Sequence, residues 1–101
     1  MYFITCFHKY EIDTKTQVPN IGASRTVGYY INKGDAIQYV IENNCDIYEY
    51  SYRYAVIEKI PEGLYNVALE RIFFEWNEET KEYKMIDEKQ FEDCFGNYAF
   101  G

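Results

Sequence analysis

One cation and a set of aromatic side chains are the best material for chemistry in this chain of 101 residues. Arg25 follows the flexible run Gly22-Ala23-Ser24 and begins an extended segment, so its guanidinium can meet a carboxylate, a phosphate or a base edge. If the fold brings aromatic side chains to the same rim, they form a pocket with one cation, suited to stacking a nucleobase. The residues predicted to bind such a ligand are Arg25, His8, Tyr29, Tyr54 and Trp76. The alternative is that Arg25 pairs with one of the 17 acidic side chains, a common and weak interaction.

Patterns that would indicate catalysis or a metal site are weak. Cys6 and His8 share one face of a predicted strand, but residues two apart offer no base-to-thiol geometry by themselves, and no second ligand pair stands at metal-binding spacing. The segment GASRTVG matches neither of the glycine motifs that cradle phosphates. Carboxylates are too abundant for any pair of them to indicate an acid and a base. We therefore predict a non-catalytic protein with no metal and no cofactor.

Tyrosines occupy every second position from Tyr48 to Tyr54. Tyr48 and Tyr50 directly follow a predicted helix, so the row spans a change from helix to strand, and only Tyr52 and Tyr54 belong to the predicted strand. Aromatic residues are enriched in strands, where they pack on the sheet. We predict that most tyrosines of the row pack in the core or on the sheet and that Tyr54 is the one that takes part in ligand binding.

The net charge of -7 argues against direct binding to nucleic acid, which depends on lysine and arginine displacing counterions. Most of this charge, a net -5, falls on residues 66 to 101. This acidic surface predicts a second mode of function, in which the chain binds a basic, nucleic-acid-binding protein. The interface residues predicted for that mode are Glu75, Glu78, Glu79, Glu82, Asp87 and Glu88. The alternative is a solvated acidic face that keeps an aromatic-rich protein in solution.

The odd number of cysteines, three, is unlike a secreted disulfide framework. The N-terminal segment MYFITCFHKYEI has no pattern of a signal peptide, and no apolar run reaches the ~18 residues needed to span a membrane. We expect a cytoplasmic protein that does not contact the membrane.

Hydrophobic periodicity predicts one compact α+β domain over residues 1–101. We expect a mostly antiparallel sheet of about five strands with one main helix on one face, in the order β-β-α-β-β-β, followed by a short C-terminal helical turn at 88–94. The helix follows a cap at Asn32, and Gly28 indicates a bulge or a close backbone approach. The predicted strands cover residues 2–9, 25–31 and 52–60 and the segments RIFFEWN and KEYKMI, which form a hairpin around 78–81.

The ordered segments ITCFHK, SRTVGYY, ENNCDIYEY, YAVIEKIPEGLY, FFEWNEETKEYKMID and NYAFG resemble a family of short proteins of Firmicutes and their phages and mobile elements. That family has no settled activity. The resemblance implies a bacterial host cell and evasion of host defence. Two mechanisms fit that context, namely sequestering a nucleotide-derived signal and covering a basic surface of a defence protein such as a CRISPR effector. It also marks positions to test first, which are Arg25, Gly28, Tyr29, Glu58, Gly63 and Trp76. The oligomeric state stays open, because a pocket in so short a chain can need two subunits.

Overall fold

The structure is a computed structural model that describes residues 1–9, 11–12, 14–16, 19–20, 22–44, 47–64 and 67–87. Its elements, in chain order, are β1 (Tyr2–Phe7), β2 (Glu11–Ile12), β3 (Pro19–Asn20), β4 (Ser24–Tyr30), α1 (Lys33–Ile41), a short 3₁₀ helix (Ile47–Tyr50), β5 (Tyr54–Lys59), β6 (Glu70–Asn77) and β7 (Glu82–Ile86). Five strands form one sheet in the order β4-β1-β5-β6-β7, and every neighbouring pair is antiparallel.

The predicted α+β class, with a five-stranded antiparallel sheet and one α-helix, is confirmed for the described part of the chain. The order of elements differs in one detail. The long excursion after the first strand contains β2 and β3, which pair with each other and form a separate two-stranded ribbon. The helical turn predicted for 88–94 lies outside the described residues.

The helix packs on one side of the sheet, which we call the helix face. It begins at Asn32, whose side-chain oxygen accepts a hydrogen bond from the backbone N–H of Asp35 at 3.1 Å, so the predicted cap is confirmed. Ala36 and Val40, one turn apart, are buried against the sheet. The sheet residues they join are Ile4, Cys6, Ala55, Ile57, Phe74 and Tyr83.

The opposite side, which we call the second face, is also buried at its centre. Phe7, Val56 and Phe73 form a second apolar cluster there, with Tyr54 and Ile86 packed against it. Strand β1 therefore contributes to both clusters and lies between β4 and β5. This arrangement explains why its sequence is apolar at both alternating sets of positions.

The second face also holds polar contacts. Glu58 is 1% exposed and accepts a hydrogen bond from Arg71 Nε at 3.1 Å, across a register in which the two residues are directly opposite. Thr5 of β1 and Thr26 of β4 are also directly opposite, and their hydroxyls form a hydrogen bond of 2.9 Å.

The two edges of the sheet are β4 and β7. On β4 the register with β1 shifts between Ile4 and Thr5, which pair with Gly28 and Thr26 and leave Val27 as the extra residue. The bulge predicted near Gly28 is therefore confirmed.

The tyrosine row spans a change of element, as predicted. Tyr48 lies in the 3₁₀ helix and packs against the helix-face core, and Tyr52 is buried in that core. The expectation that Tyr52 belongs to the strand is wrong, because β5 begins at Tyr54. Ser51, with a positive φ of 60°, directly follows the 3₁₀ helix and precedes Tyr52. Within the described residues, no helix is long and apolar enough to cross a membrane.

Candidate functional site

Four of the five predicted ligand residues lie at one end of the sheet. Because neighbouring strands are antiparallel, β1 and β6 end where β4, β5 and β7 begin. We call this the hairpin end, and it holds residues 7–8, 24–25, 53–54, 75–77 and 82–83. The predicted ligand residues found there are His8, Arg25, Tyr54 and Trp76. Tyr29 is at the opposite end, paired with Phe3, where the residue is 58% exposed.

Those four residues do not surround one space. Arg25 lies on β4 and Trp76 on β6, which are three strands apart and hence about 14 Å apart at a strand spacing of ~4.8 Å. The other two residues, His8 and Tyr54, contact different faces of the sheet. The ring of His8 contacts Tyr52 of the helix-face core, whereas the ring of Tyr54 stacks on Phe7 of the second face. One base cannot lie between Arg25 and Trp76 in this arrangement.

Trp76 is engaged within the fold on three sides. Its indole stacks on Tyr48 with ring centroids 4.1 Å apart and planes 8° apart, and it meets the edge of Tyr83 at 5.1 Å. Its Nε1 donates a hydrogen bond to a carboxylate oxygen of Glu78 at 2.7 Å. Tyr83 is itself fixed, because its hydroxyl donates to the backbone carbonyl of Tyr52 at 2.7 Å. These contacts fix the indole in place, and with it the base of the β6–β7 hairpin.

Tyr54 lies beside an exposed ion pair on the second face. Arg53 pairs with Glu75 at 2.8 Å and its guanidinium lies 5.5 Å from the centre of the Tyr54 ring. Burial raises the pKa of Tyr54, while the charge of Arg53 acts in the opposite sense. The phenol therefore stays neutral at physiological pH and can act only as a polar contact or a packing surface.

The turn between β6 and β7 is held by Asn77. Its side-chain oxygen accepts hydrogen bonds from the backbone N–H groups of Glu79 at 2.9 Å and Thr80 at 3.0 Å, and its carbonyl accepts one from Lys81 N at 2.9 Å. Lys81 closes the turn with a left-handed φ of 58°. The predicted hairpin around 78–81 is present, and its tip has a fixed backbone.

The acidic side chains on this hairpin fall into two groups. Glu75 is paired with Arg53, and Glu78 is paired with Lys81, which together with Trp76 lowers the pKa of the Glu78 carboxyl. Glu79 and Glu82 are exposed and form no ion pair with any described residue. Asp87 is exposed and has a polar contact, and Glu88 lies outside the described residues.

Arg25 is exposed, and its side chain forms no ion pair or hydrogen bond with the described part of the chain. The alternative that it is neutralised by a neighbouring acid therefore has no support there. An open depression of about 380 Å³ lies at the other end of the sheet, lined by Ala68, Leu69, Glu70 and Arg71. None of the five predicted ligand residues lines it.

The cysteine that the sequence placed near His8 is unsuited to nucleophilic chemistry. Cys6 is fully buried, and burial raises the pKa of its thiol to about 12, so it is protonated at neutral pH. Among the described residues no three His, Cys, Asp or Glu side chains converge in a way that would hold a metal ion. Cys45 and Cys94 lie outside the described residues.

Two contacts, one at each end of the sheet, were not predicted. The Tyr48–Trp76 stack joins residues 28 positions apart, and no local pattern indicates it. The Glu58–Arg71 pair had a weak signal, since one glutamate interrupts the apolar run YAVIEKI. A charged residue in a strand that is buried on both faces requires a partner on the neighbouring strand.

The comparisons with protein-family models, with curated proteins and with solved structures find no match to this chain. Its function is therefore argued from the geometry of its own residues.

Proposed function

We propose that this chain is a non-catalytic protein-binding module that presents the tip of its β6–β7 hairpin to a basic surface of a partner. The observation that carries the proposal is the pair of exposed carboxylates, Glu79 and Glu82, on a turn whose backbone is fixed by Asn77. A preorganised turn loses little conformational entropy when it binds, so its charges are available for recognition.

The base of the hairpin supports the same function. Trp76 is fixed by Tyr48, Tyr83 and Glu78, so the turn is attached to the body through a rigid aromatic contact. Glu75 and Glu78 are already paired with cations, so the binding charge comes mainly from Glu79 and Glu82. With a net charge of -7 the whole molecule would also be drawn to a positive partner over a longer range.

The resemblance to proteins of Firmicutes phages and mobile elements suggests the class of partner. We propose a basic, nucleic-acid-binding defence protein of the host, such as a CRISPR effector, whose nucleic-acid groove the hairpin covers. The test is binding of the purified chain to a panel of purified effectors without nucleic acid, in a series of salt concentrations. The proposal expects at least one effector to bind with an affinity that falls as salt rises. If every effector fails to bind, or if binding is independent of salt, the proposal is wrong.

One observation favours a second candidate, a binder of an anionic small ligand. Arg25 is exposed, it has no ion pair among the described residues, and His8 lies at the same end of the next strand. In this function Arg25 holds a phosphate, and neither Tyr29 nor Trp76 takes part. Thermal unfolding with cyclic and linear nucleotides tests it, because a ligand at 100 times its dissociation constant adds ~2.7 kcal/mol of stability. An equal shift for the wild type and Arg25→Ala would rule it out.

A further inference from the structure

Strand β4 forms an edge of the sheet that no described strand covers. Its inner side pairs with β1, and among the described strands β2 and β3 pair only with each other. Five of its seven residues from Ser24 to Tyr30, all but Gly28 and Tyr30, are exposed, and Val27 and Tyr29 are among the large apolar side chains left exposed. Its row of outward N–H and C=O groups is a template for another strand.

The other edge strand is protected in a way that β4 is not. Strand β7 has five residues and carries Glu82 and Lys84, and charged residues on a short edge strand oppose pairing with another chain. Strand β4 has seven residues and one charge, Arg25. The two edges of this sheet therefore differ in their capacity to accept a further strand.

The charge pattern of the sequence indicates where two copies can meet. Residues 14–34 contain no aspartate or glutamate, although the chain has 17 of them, and they contain three of its ten basic residues. A segment without acidic residues adds no negative charge to the repulsion between two molecules of charge -7, and β4 lies within this segment.

Gly28 gives a second reason for a partner at this edge. A Cβ added at Gly28 would meet nothing within 4 Å, and its backbone is not among the left-handed glycines, which are Gly22 and Gly63 in the described chain. The fold of one molecule therefore has space for a side chain at this position. Glycine within a strand marks a bulge, which is present here at Val27, or a place where another backbone comes close.

We propose that β4 pairs antiparallel with β4 of a second copy, which joins the two five-stranded sheets about a two-fold axis beside Gly28. The faces fix the register. Arg25 and Tyr30 are on the helix face, opposite Cys6 and Tyr2, whereas Thr26 and Tyr29 are on the second face, opposite Thr5 and Phe3.

Directly opposed residues must lie on the same face of the joined sheet. This condition is met when Arg25 lies opposite Tyr30 of the second copy and Thr26 lies opposite its Tyr29. Val27 then lies opposite Gly28 of the second copy, where the absence of a side chain leaves room for it. A slip by one residue would place helix-face residues opposite second-face residues.

Sedimentation equilibrium of the full chain, from micromolar to submillimolar concentration, tests the proposal. We expect a monomer–dimer equilibrium in which the dimer has twice the mass of the 12.1 kDa chain. Because both copies are acidic, dimerisation should strengthen as salt rises. A single species of monomer mass at every concentration would overturn the proposal and leave the edge to a strand of another protein.

Three variants locate the interface. Val27→Lys places a charge on the edge of each copy and should weaken the dimer at least tenfold, or ~1.4 kcal/mol. Gly28→Val should weaken it by a similar factor without destabilising the monomer, since its side chain enters open space in one molecule. Met85→Lys, at an exposed apolar residue of the other edge strand, is the matched control and should leave dimerisation unchanged. Equal dimerisation constants for all three would contradict the proposal.

Disulfide cross-linking tests the register, in chains with Cys45 and Cys94 replaced by serine. Oxidation of a mixture of Thr26→Cys and Tyr29→Cys chains should give a covalent dimer. A mixture of Arg25→Cys and Tyr29→Cys chains should not, because those two positions are on opposite faces. Equal cross-linking in both mixtures would exclude this register.

Discussion

Trp76 lies flat on Tyr48, with their ring centroids 4.1 Å apart and their planes within 8° of parallel. The stack joins the C-terminal end of β6 to the 3₁₀ helix, so it links the hairpin to the helix face of the sheet. It also means that one side of the indole is covered. A ligand-stacking role for Trp76 would require Tyr48 to leave, whereas a role as the base of a binding hairpin uses the stack as it stands.

Replacing Trp76 by alanine should lower the free energy of unfolding by about 3 kcal/mol, because it removes a large ring from contacts with Tyr48 and Tyr83. Tyr48→Leu keeps an apolar side chain and removes only the aromatic contact, so its cost should be about 1 kcal/mol. Urea unfolding of both variants checks this. Costs in the reverse order would show that the hairpin is held by other contacts.

Arg71→Met should destabilise the fold by roughly 3 kcal/mol, because it takes the guanidinium from a carboxylate that is 1% exposed. The double variant Glu58→Leu/Arg71→Met removes both charges and should recover most of that loss. Denaturant unfolding of the two variants and of Glu58→Leu alone completes a double-mutant cycle. A coupling free energy near zero would show that Glu58 and Arg71 do not stabilise each other.

The stability of the protein should fall between pH 9 and 12 through Cys6. Burial raises the pKa of this thiol from 9.0 to about 12, so the unfolded chain loses the proton first and each pH unit in that window favours unfolding by ~1.4 kcal/mol. Cys6→Ala removes the thiol and with it this pH dependence of stability. Chemical unfolding at several pH values should give wild-type and variant stabilities that approach each other as pH rises through the window, and a constant difference would contradict the burial of the thiol.

Lys81→Gly tests the turn that presents the acidic tip. Lys81 has a left-handed φ of 58°, which glycine adopts without strain, whereas the exposed ion pair that it makes with Glu78 contributes little. We expect the variant to be at least as stable as the wild type, with a free energy of unfolding up to about 1 kcal/mol higher. Asn77→Ala, which removes the acceptor for two backbone N–H groups, should instead destabilise by about 1 kcal/mol.

The sheet was predictable because its signals are local. A continuous apolar run marked β1, alternating apolar residues marked β6, the Asn32 cap marked the start of α1, and the hairpin was marked around 78–81. The short strands β2 and β3 were not predicted, since two residues carry no periodicity. The alternation of tyrosines predicts a strand at Tyr52, but β5 begins at Tyr54, and Tyr52 is buried in the helix-face core whereas Tyr54 packs on the second face.

The grouping of site residues was harder to predict than the strands that carry them. Which end of the sheet a residue occupies depends on strand order, and which face it occupies depends on register. Neither can be predicted from the sequence of a single strand. Tyr29 and Arg25 lie on the same strand but at opposite ends of it, and the bulge at Val27 lies between them. Tyr54 and Trp76 lie on adjacent strands but on different faces.

The most direct test of the proposed function is charge reversal at the hairpin tip. Binding of a purified basic effector should be measured for the wild type, for Glu79→Lys/Glu82→Lys and for Glu11→Lys/Glu62→Lys, which changes the net charge equally at exposed acids outside the β6–β7 hairpin. The account predicts at least a tenfold rise in dissociation constant for the hairpin variant beyond that of the control, or ~1.4 kcal/mol. Equal losses in the two variants would show that only net charge matters, and would contradict the assignment of the binding surface to the hairpin.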